Sequence, residues 1–334
     1  MPGYSWVIIN IRHMKKIKLQ RVVVVQAVML LAVLICGIAI GTVATITYRD
    51  AKLDQRKEKY SLLADRILLG SDKDRTVSFT QLRQEIANYT SANMQNVTYS
   101  IYFEYLPTGT SIGINESKNL IGASLLKVPF AMQYYRALED GKVQASDTVT
   151  IQQNQLDDSY GNLYKKGAGY RLPLSEVVQI MLLDSDNTAL RVLADTLQSR
   201  AGLGTIDEVF NFVDLNYESD SDGATLIGAE SYSSILKCLY FACYISKDHS
   251  QDVLSLLTQT TFNGRLKRYI PQEEMPTIAH KIGSFGQTTQ SDCGIFYEPQ
   301  KPYLLCIMVN GDDASASQYI GKLSIIVYEY MSNL

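Results

Sequence analysis

From Val22 to Tyr48 the chain carries no charged residue and is dominated by Val, Leu, Ile and Ala. As a helix this stretch is roughly 40 Å long at about 1.5 Å per residue, enough to cross a hydrocarbon core of about 30 Å with some tilt. A secretory leader has a shorter apolar region and a small-x-small cleavage site, and neither is evident. The sequence is therefore read as a basic tail at 1–21, a retained single-pass helix at 22–48, a charged stalk at 49–77 and one folded domain at 78–334. Gly37 and Gly41 form a G-x-x-x-G of the kind that packs helices, a weak pattern when it stands alone. Arg12, Lys15, Lys16, Lys18 and Arg21 precede the span and Arg49, Lys52, Arg56, Lys57 and Lys59 follow it, so basic charge is balanced and sets no orientation. In the stalk, Leu62, Leu63, Ile67 and Leu68 have the spacing of an amphipathic helix.

The remainder of the 334 residues is long enough to bury a substantial core. With 46% hydrophobic and 19% charged residues the balance is globular, and a net charge of −3 gives no electrostatic footprint for nucleic acid. Three histidines and no Cys/His spacing of metal-site type point to no metal and no cofactor. Five cysteines in a chain of this length do not make a disulfide scaffold. Cys36 lies in the apolar span, and Ile35 before it is too large for a lipoprotein signal. Cys238 and Cys243 are five apart in a helical stretch and are expected to point different ways. Cys293 and Cys306 fall on neighbouring strands where they can face each other, and their pairing is left open.

A helix is expected at 79–89, then a hairpin from Val97–Glu104 and Ser111–Asn115 around Pro107-Thr108-Gly109. A long helix follows from Ser124 to Asp140, ended by Gly141. Further helices are expected at 174–183, 187–198, 206–215, 231–245 and 252–260. Two to three strands follow, at 277–283, 292–297 and 303–309, and a helix at 318–331 ends the chain. Strands at both ends with helices between predict an α+β domain: an antiparallel sheet flanked by terminal helices, plus a helical subdomain, preceded by one transmembrane helix.

Three short elements carry chemistry. Ser124-Leu125-Leu126-Lys127 opens a helix, which places the hydroxyl and the amine one turn apart on the same face, in a field that favours developing negative charge. An amine held neutral by burial can accept the hydroxyl proton. Ser185-Asp186-Asn187, at the junction of two helices, offers a hydroxyl relay and an amide; its structural alternative is a helix N-cap. Lys281-Ile282-Gly283 lies on a strand, where a lysine can attract a carboxylate and glycine permits close backbone approach. An S-x-x-K occurs by chance about once in a chain this size. A second one, Ser234-Ile235-Leu236-Lys237, lies inside an amphipathic helix with nothing downstream to complete it and is read as structural; Lys165-Lys166-Gly167 is likewise a chance K-x-G.

In this order, with about sixty residues between Ser124 and Ser185 and with Ser291-Asp292-Cys293-Gly294-Ile295 on the next strand, the elements resemble class A β-lactamases and the related penicillin-binding serine enzymes. The resemblance extends from about Ser78 to Leu334. It implies Ser124 as the nucleophile of an acyl-enzyme, Lys127 as its proton acceptor and Ser185 as the relay to the leaving nitrogen. It further implies Asn187 on the substrate's side-chain amide, Lys281 supporting Ser185 and attracting a carboxylate, Gly283 beside the substrate backbone, and the N–H groups of Ser124 and Ser284 as the oxyanion hole. Tyr160 or Tyr164 would wall the cleft. Three departures stand out. Ile282 replaces the hydroxyl residue of K-T-G, Gln290 and Ser291 stand before Asp292 where many β-lactamases have an arginine, and the Ω-loop E-x-x-L-N motif is missing. Only Asn216 to Glu230 separate the flanking helices, with Glu218, Asp220 and Asp222 as the nearby acids.

The implied partners are a β-lactam or a peptidoglycan peptide, and a membrane through the N-terminal helix. Substrates of this class place the domain on the extracytoplasmic face. The expected activity is a β-lactamase-like serine hydrolase with slow turnover; the alternatives are a cell-wall D,D-carboxypeptidase or endopeptidase, and a sensor that binds penicillin or wall peptide without turnover.

Overall fold

The computed structural model describes residues 26, 28–52, 61, 78–215 and 217–334. The basic tail, most of the expected stalk with Leu62, Leu63, Ile67 and Leu68, and Arg56, Lys57 and Lys59 lie outside the described residues. Helix α1 (Val28–Lys52) is long and apolar enough to cross a membrane and runs one turn beyond the expected end at Tyr48. The hydroxyls of Thr42, Thr45 and Thr47 donate to the carbonyls of Ala39, Gly41 and Val43 within the same helix, so these polar groups need no partner from outside it.

The folded domain is built on a five-stranded sheet in the order β2-β1-β10-β9-β8, with β1 at Tyr99–Tyr105, β2 at Thr110–Ile114, β8 at Ile278–Phe285, β9 at Thr289–Phe296 and β10 at Tyr303–Asn310. All its pairings are antiparallel. Along β10, Leu304, Cys306 and Met308 enter one core while Tyr303, Leu305, Ile307 and Val309 enter the other. The side-chain period of two thus serves two buried faces, which is why the strand reads as an unbroken apolar run. Helices α2 (Thr80–Asn93) and α9 (Asp313–Ser332) cover one face. The other carries α3 (Lys127–Glu139), α4 (Leu174–Leu183), α5 (Asn187–Ala201), α6 (Asp207–Phe212), α7 (Ala229–Tyr240) and α8 (Lys247–Thr258). The mixed α/β architecture is the one expected.

Several boundaries move for local reasons. The stretch opened by Ser124 begins as a 3-10 turn, Ala123–Leu126, before α3. Helix α9 starts at Asp313, five residues before the expected Gln318, because the Asp312 carboxylate caps it by accepting from the Ser315 N–H at 3.0 Å. Five short strands escaped the sequence reading. β3 (Leu120–Ile121), β7 (Thr225–Ile227) and β6 (Glu218–Ser219) form a small sheet, and β4 (Thr148–Thr150) pairs with β5 (Arg171–Pro173).

The cysteine reading needs correction: four of the five cysteines are paired. Helix α7 stops at Tyr240 rather than running to Ile245, and Ala242 takes a left-handed conformation with φ 50°. The Cys243 N–H then donates to the Cys238 carbonyl at 2.9 Å and the Ala242 N–H to that of Leu239 at 3.0 Å. This reversal brings Cys243 back against Cys238, with Cα atoms 5.0 Å apart, and the two form a disulfide. Cys293 and Cys306 stand directly opposite on β9 and β10 and form the second. Cys36 is free.

Candidate active site

The nucleophile candidate is presented by a strained and well-supported turn. Ala123, immediately before Ser124, holds φ 47°, an unfavourable conformation for a residue with a Cβ. The turn is fixed by the Gly122 N–H donating to the Thr225 carbonyl at 2.9 Å and by the Tyr232 hydroxyl donating to the Leu125 carbonyl at 3.1 Å. Gly283 on β8 lies directly beneath it. A Cβ there would come within 2.4 Å of Ser291 Oγ, 3.0 Å of the Gly122 carbonyl oxygen and 3.1 Å of Leu125 Cγ. Its missing side chain therefore makes room for Ser291 on the neighbouring strand and for the nucleophile turn.

Lys127, one turn on from Ser124, is 1% exposed. Its Nζ donates to Ser124 Oγ at 3.0 Å, Asn187 Oδ1 at 2.7 Å and Ser185 Oγ at 3.2 Å, and also to the Ser185 carbonyl. Burial lowers its pKa to about 8, with Asp186 and Asp157 acting in the opposite direction.

In Ser185-Asp186-Asn187 the helix N-cap is Asp186. Asp186, fully buried, caps α5 by accepting from the Ala189 N–H at 2.9 Å. Its other oxygen accepts from the N–H groups of Asn162 and Leu163 at 2.7 and 2.8 Å. Gly161 permits this wrap, since a Cβ there would strike Asp186 Oδ2 at 2.0 Å. With Asp186 turned inward, Ser185, at φ 56°, and Asn187 face the cleft. The Asn187 amide nitrogen donates to Ser159 Oγ at 2.8 Å.

Lys281 reaches the same hydroxyl from the sheet: its Nζ donates to Ser185 Oγ at 2.8 Å and to the Ile282 carbonyl at 3.3 Å, and lies 5.6 Å from the centre of the Phe262 ring. The residue is fully buried, and desolvation, followed by repulsion from Lys127, holds its pKa well below the ordinary lysine value. Ser124, Ser185, Asn187, Ser284, Ile282 and Tyr160 line one cleft of about 660 Å³. Tyr160 packs against Phe262 at 6.4 Å between ring centres, while Tyr164 does not line this cleft.

Arg265 was not anticipated, because the loop between α8 and β8 carries no motif. It is 5% exposed and reaches the cleft from that loop. Nη1 donates to the Gly283 and Ser291 carbonyls at 2.8 and 2.7 Å, and Nε to Ser317 Oγ at 3.3 Å. Nη2 donates to Ser284 Oγ at 2.7 Å, Gln290 Oε1 at 2.6 Å and Asp313 Oδ1 at 2.8 Å. The loop is anchored on either side of Arg265, at Thr260 and Leu266, by a buried pair. His280 Nδ1 lies 2.8 Å from Asp292 Oδ1, His280 Nε2 lies 2.9 Å from the Thr260 hydroxyl, and Asp292 Oδ2 accepts from the Leu266 N–H at 3.1 Å.

Glu218, Asp220 and Asp222 lie on the exposed β6–β7 hairpin, where Asp220 Oδ1 accepts from the N–H groups of Asp222 and Ala224. They do not line the cleft; among the described residues that do, Asp313 is the sole carboxylate. No group of three His, Cys, Asp or Glu among the described residues is placed to hold a metal ion. The arrangement is therefore equipped for acyl transfer by side chains: a hydroxyl beside a depressed lysine, and a second hydroxyl between two lysines.

The family model for the beta-lactamase enzyme family matches residues 81–331. Among solved structures, PBP-A superposes with a TM-score of 0.68 at 23% identity, covering 76% of this chain and 97% of that one. A PBP-A mutant solved as an acyl-enzyme complex with penicillin G gives 0.69 with the same identity and coverage. A beta-lactamase from Sphaerobacter thermophilus DSM 20745 gives 0.68 at 18% identity, covering 77% and 99%. No curated protein sequence matches significantly.

Proposed function

The chain belongs to the beta-lactamase enzyme family, and from that premise we propose that it forms an acyl-enzyme on Ser124 with β-lactams or D-Ala-D-Ala-type wall peptides. The observation that carries this reading is the convergence on Lys127 Nζ of Ser124 Oγ, Ser185 Oγ and Asn187 Oδ1. Lys127, depressed by burial, takes the Ser124 proton as Oγ attacks the carbonyl carbon. Ser185, held between Lys127 and Lys281, delivers a proton to the leaving nitrogen as the C–N bond breaks. The N–H groups of Ser124 and Ser284 receive the developing oxyanion. Asn187 positions the substrate's side-chain amide and Lys281 holds Ser185 in place.

Return of the enzyme requires a base that activates water on the ester. Among the described residues, the cleft offers no carboxylate for this beyond Asp313, which is paired with Arg265. We therefore read the protein as acylating detectably and deacylating slowly, closer to a penicillin-binding peptidase or sensor than to an efficient β-lactamase. A mutant of PBP-A, a structural neighbour, has been captured as an acyl-enzyme with penicillin G.

On the same reading α1 anchors the protein, with the tail in the cytoplasm and the domain outside the membrane. Two disulfides in the domain agree with an oxidising compartment. A labelling time course with a fluorescent penicillin tests the function: persistent label on Ser124 is expected, and failure to label would remove the proposal.

A further inference from the structure

An unbroken run of hydrogen bonds leaves the cleft from Lys127 and ends on a carboxylate that does not line it. Lys127 Nζ donates to Asn187 Oδ1 at 2.7 Å, Asn187 Nδ2 donates to Ser159 Oγ at 2.8 Å, and the Ser159 hydroxyl donates to Asp157 Oδ1. The Ser159 N–H donates to the same oxygen at 2.9 Å, and Arg191 Nη2, on α5, lies 2.7 Å from Asp157 Oδ2. The backbone of Asp157 is pinned to α5 as well. Its N–H donates to Thr188 Oγ1 at 2.9 Å, and its carbonyl accepts from that hydroxyl at 3.1 Å. Burial works against a charge on Asp157, but the hydrogen bonds from Ser159 and the Arg191 guanidinium outweigh it and hold its pKa below the ordinary aspartate value.

This anion sets the polarity of the whole run. A hydroxyl has one proton to give, and that of Ser159 goes to Asp157, so toward Asn187 it can only accept. The Asn187 amide must then donate to Ser159 and turn its oxygen to Lys127, which leaves its second N–H for the cleft. Reversed, it would set an NH2 group against the Lys127 amine and offer substrate an oxygen instead. Lys127 alone cannot enforce the direction, because a neutral amine accepts as well as donates.

Resting on the proposed acylation of Ser124, we propose that Asp157 is a positioning residue for that reaction: through Ser159 it fixes the direction of the Asn187 amide and so makes the site prefer acyl donors that carry a side-chain amide. Asn187 Nδ2 receives the carbonyl of that amide, while Oδ1 keeps Lys127 Nζ beside Ser124 Oγ, 3.0 Å away. Asp157 touches none of the bond changes. Ser124 Oγ gains the acyl carbon, the C–N bond breaks, and the hydroxyl proton reaches the leaving nitrogen through Lys127 and Ser185. Its charge has a second effect. The charged groups facing Lys127 are Asp186 from the α4–α5 junction, Asp157 from the loop that carries Tyr160, and Lys281 from β8. Both carboxylates favour the protonated amine, so without Asp157 the amine gives up its proton at lower pH.

Two β-lactams that differ only in the side-chain amide, N-acetyl-6-aminopenicillanic acid and 6-aminopenicillanic acid, test this on the full-length protein, each acylation rate being normalised to its alkaline hydrolysis. Wild type should favour the acetylated compound by about tenfold or more, the worth of a hydrogen bond. Asp157→Ala should shrink that ratio to about threefold or less, and Asp157→Asn, whose Oδ1 can still accept from Ser159, should restore it. Both variants should move the ascending limb of the acylation pH profile to lower pH. Ser159→Ala, which truncates an exposed side chain, should shrink the ratio and leave the limb in place. A ratio unchanged in both Asp157→Ala and Ser159→Ala, or a limb that Asp157→Asn does not move, overturns the inference. Ser124→Ala supplies a readout that does not depend on acylation: in an NMR titration the acetylated compound should bind more tightly, and Asp157→Ala in that background should narrow the gap. Equal binding of the two compounds, or a gap that Asp157→Ala leaves unchanged, overturns the positioning role. A gap narrowed by Asp157→Ala without any acylation of wild type supports that role and removes only the proposed function.

Discussion

Lys281 Nζ stands 2.8 Å from Ser185 Oγ, although the two residues come from a strand and a helix junction on opposite sides of the cleft. Lys127 approaches the same oxygen at 3.2 Å. A hydroxyl between two buried amines is oriented to pass a proton in either direction. Ser185→Ala is expected to lower the acylation rate by about 10²–10⁴-fold, while the ground-state affinity for penicillin changes little. Stopped-flow quenching with a fluorescent penicillin separates the two quantities. A loss confined to affinity would assign Ser185 to binding.

Of the two S-x-x-K pairs, only one lies in the cleft. Ser234 is on α7 and lines a separate, shallow surface pocket with Phe212, Phe241 and Cys243. Ser124→Ala should abolish the covalent β-lactam adduct and Ser234→Ala should leave it intact. Intact-protein and peptide mass spectrometry decide this; an adduct on any other serine would refute the assignment.

The depressed lysine gives the reaction a pH signature. Lys127 accepts a proton only when neutral, and burial places its pKa at about 8. Acylation should rise through a limb centred near that value, falling about tenfold per unit below it. Lys127→Arg, permanently charged, should remove both the limb and most of the rate. The same shift has a consequence for stability: between about 8 and the ordinary 10.5 the unfolded chain holds this proton and the fold does not, so this group's contribution to stability grows as pH rises. Rate–pH profiles from pH 5 to 10 check the first point, and urea unfolding at pH 7.5 and 9.5 the second.

Acylation and deacylation should separate widely in rate. The first needs the Ser124, Lys127 and Ser185 group, and the second needs a base to position water. Deacylation of a penicillin or cephalosporin adduct is expected at about 10²-fold or more below that of an efficient β-lactamase. Time-resolved mass spectrometry measures both steps. Turnover of many molecules per second would show that Asp313 or another group supplies the base.

The cross-strand pair Cys293–Cys306 ties the two strands at the centre of the sheet's C-terminal half. Replacing both with Ala should cost about 3 kcal/mol, and replacing Cys238 and Cys243, which close a shorter loop, about 2 kcal/mol. Thermal unfolding should then fall by roughly 6–12 °C in the first case. An unchanged midpoint under both oxidising and reducing conditions would show that the bridge does not form.

The sequence by itself determined what covalent neighbours encode. The charge-free run from Val22 to Tyr48 fixes a long apolar helix by composition. The three-residue offset of Ser124 and Lys127 puts hydroxyl and amine on one face in either a 3-10 or an α turn, so the misplaced helix start did not affect the site. Asp186 was legible as an N-cap for the same local reason. Beyond the three motifs, the tertiary structure decided what depends on convergence from distant segments. Arg265 belongs to a loop without a motif and enters the cleft because Thr260 and Leu266, on either side of it, are bound to His280 and Asp292. The packing of Gly283 against Ser291 and the nucleophile turn joins segments that lie far apart along the chain. Cys243 pairs with Cys238 because the chain reverses at Ala242, a residue with no sequence preference for the left-handed conformation it adopts. Local geometry repeats with a fixed period and leaves a pattern in the sequence. Contacts across dozens of residues are set by how whole elements pack, and apart from the order and spacing of the three motifs nothing along the chain records them.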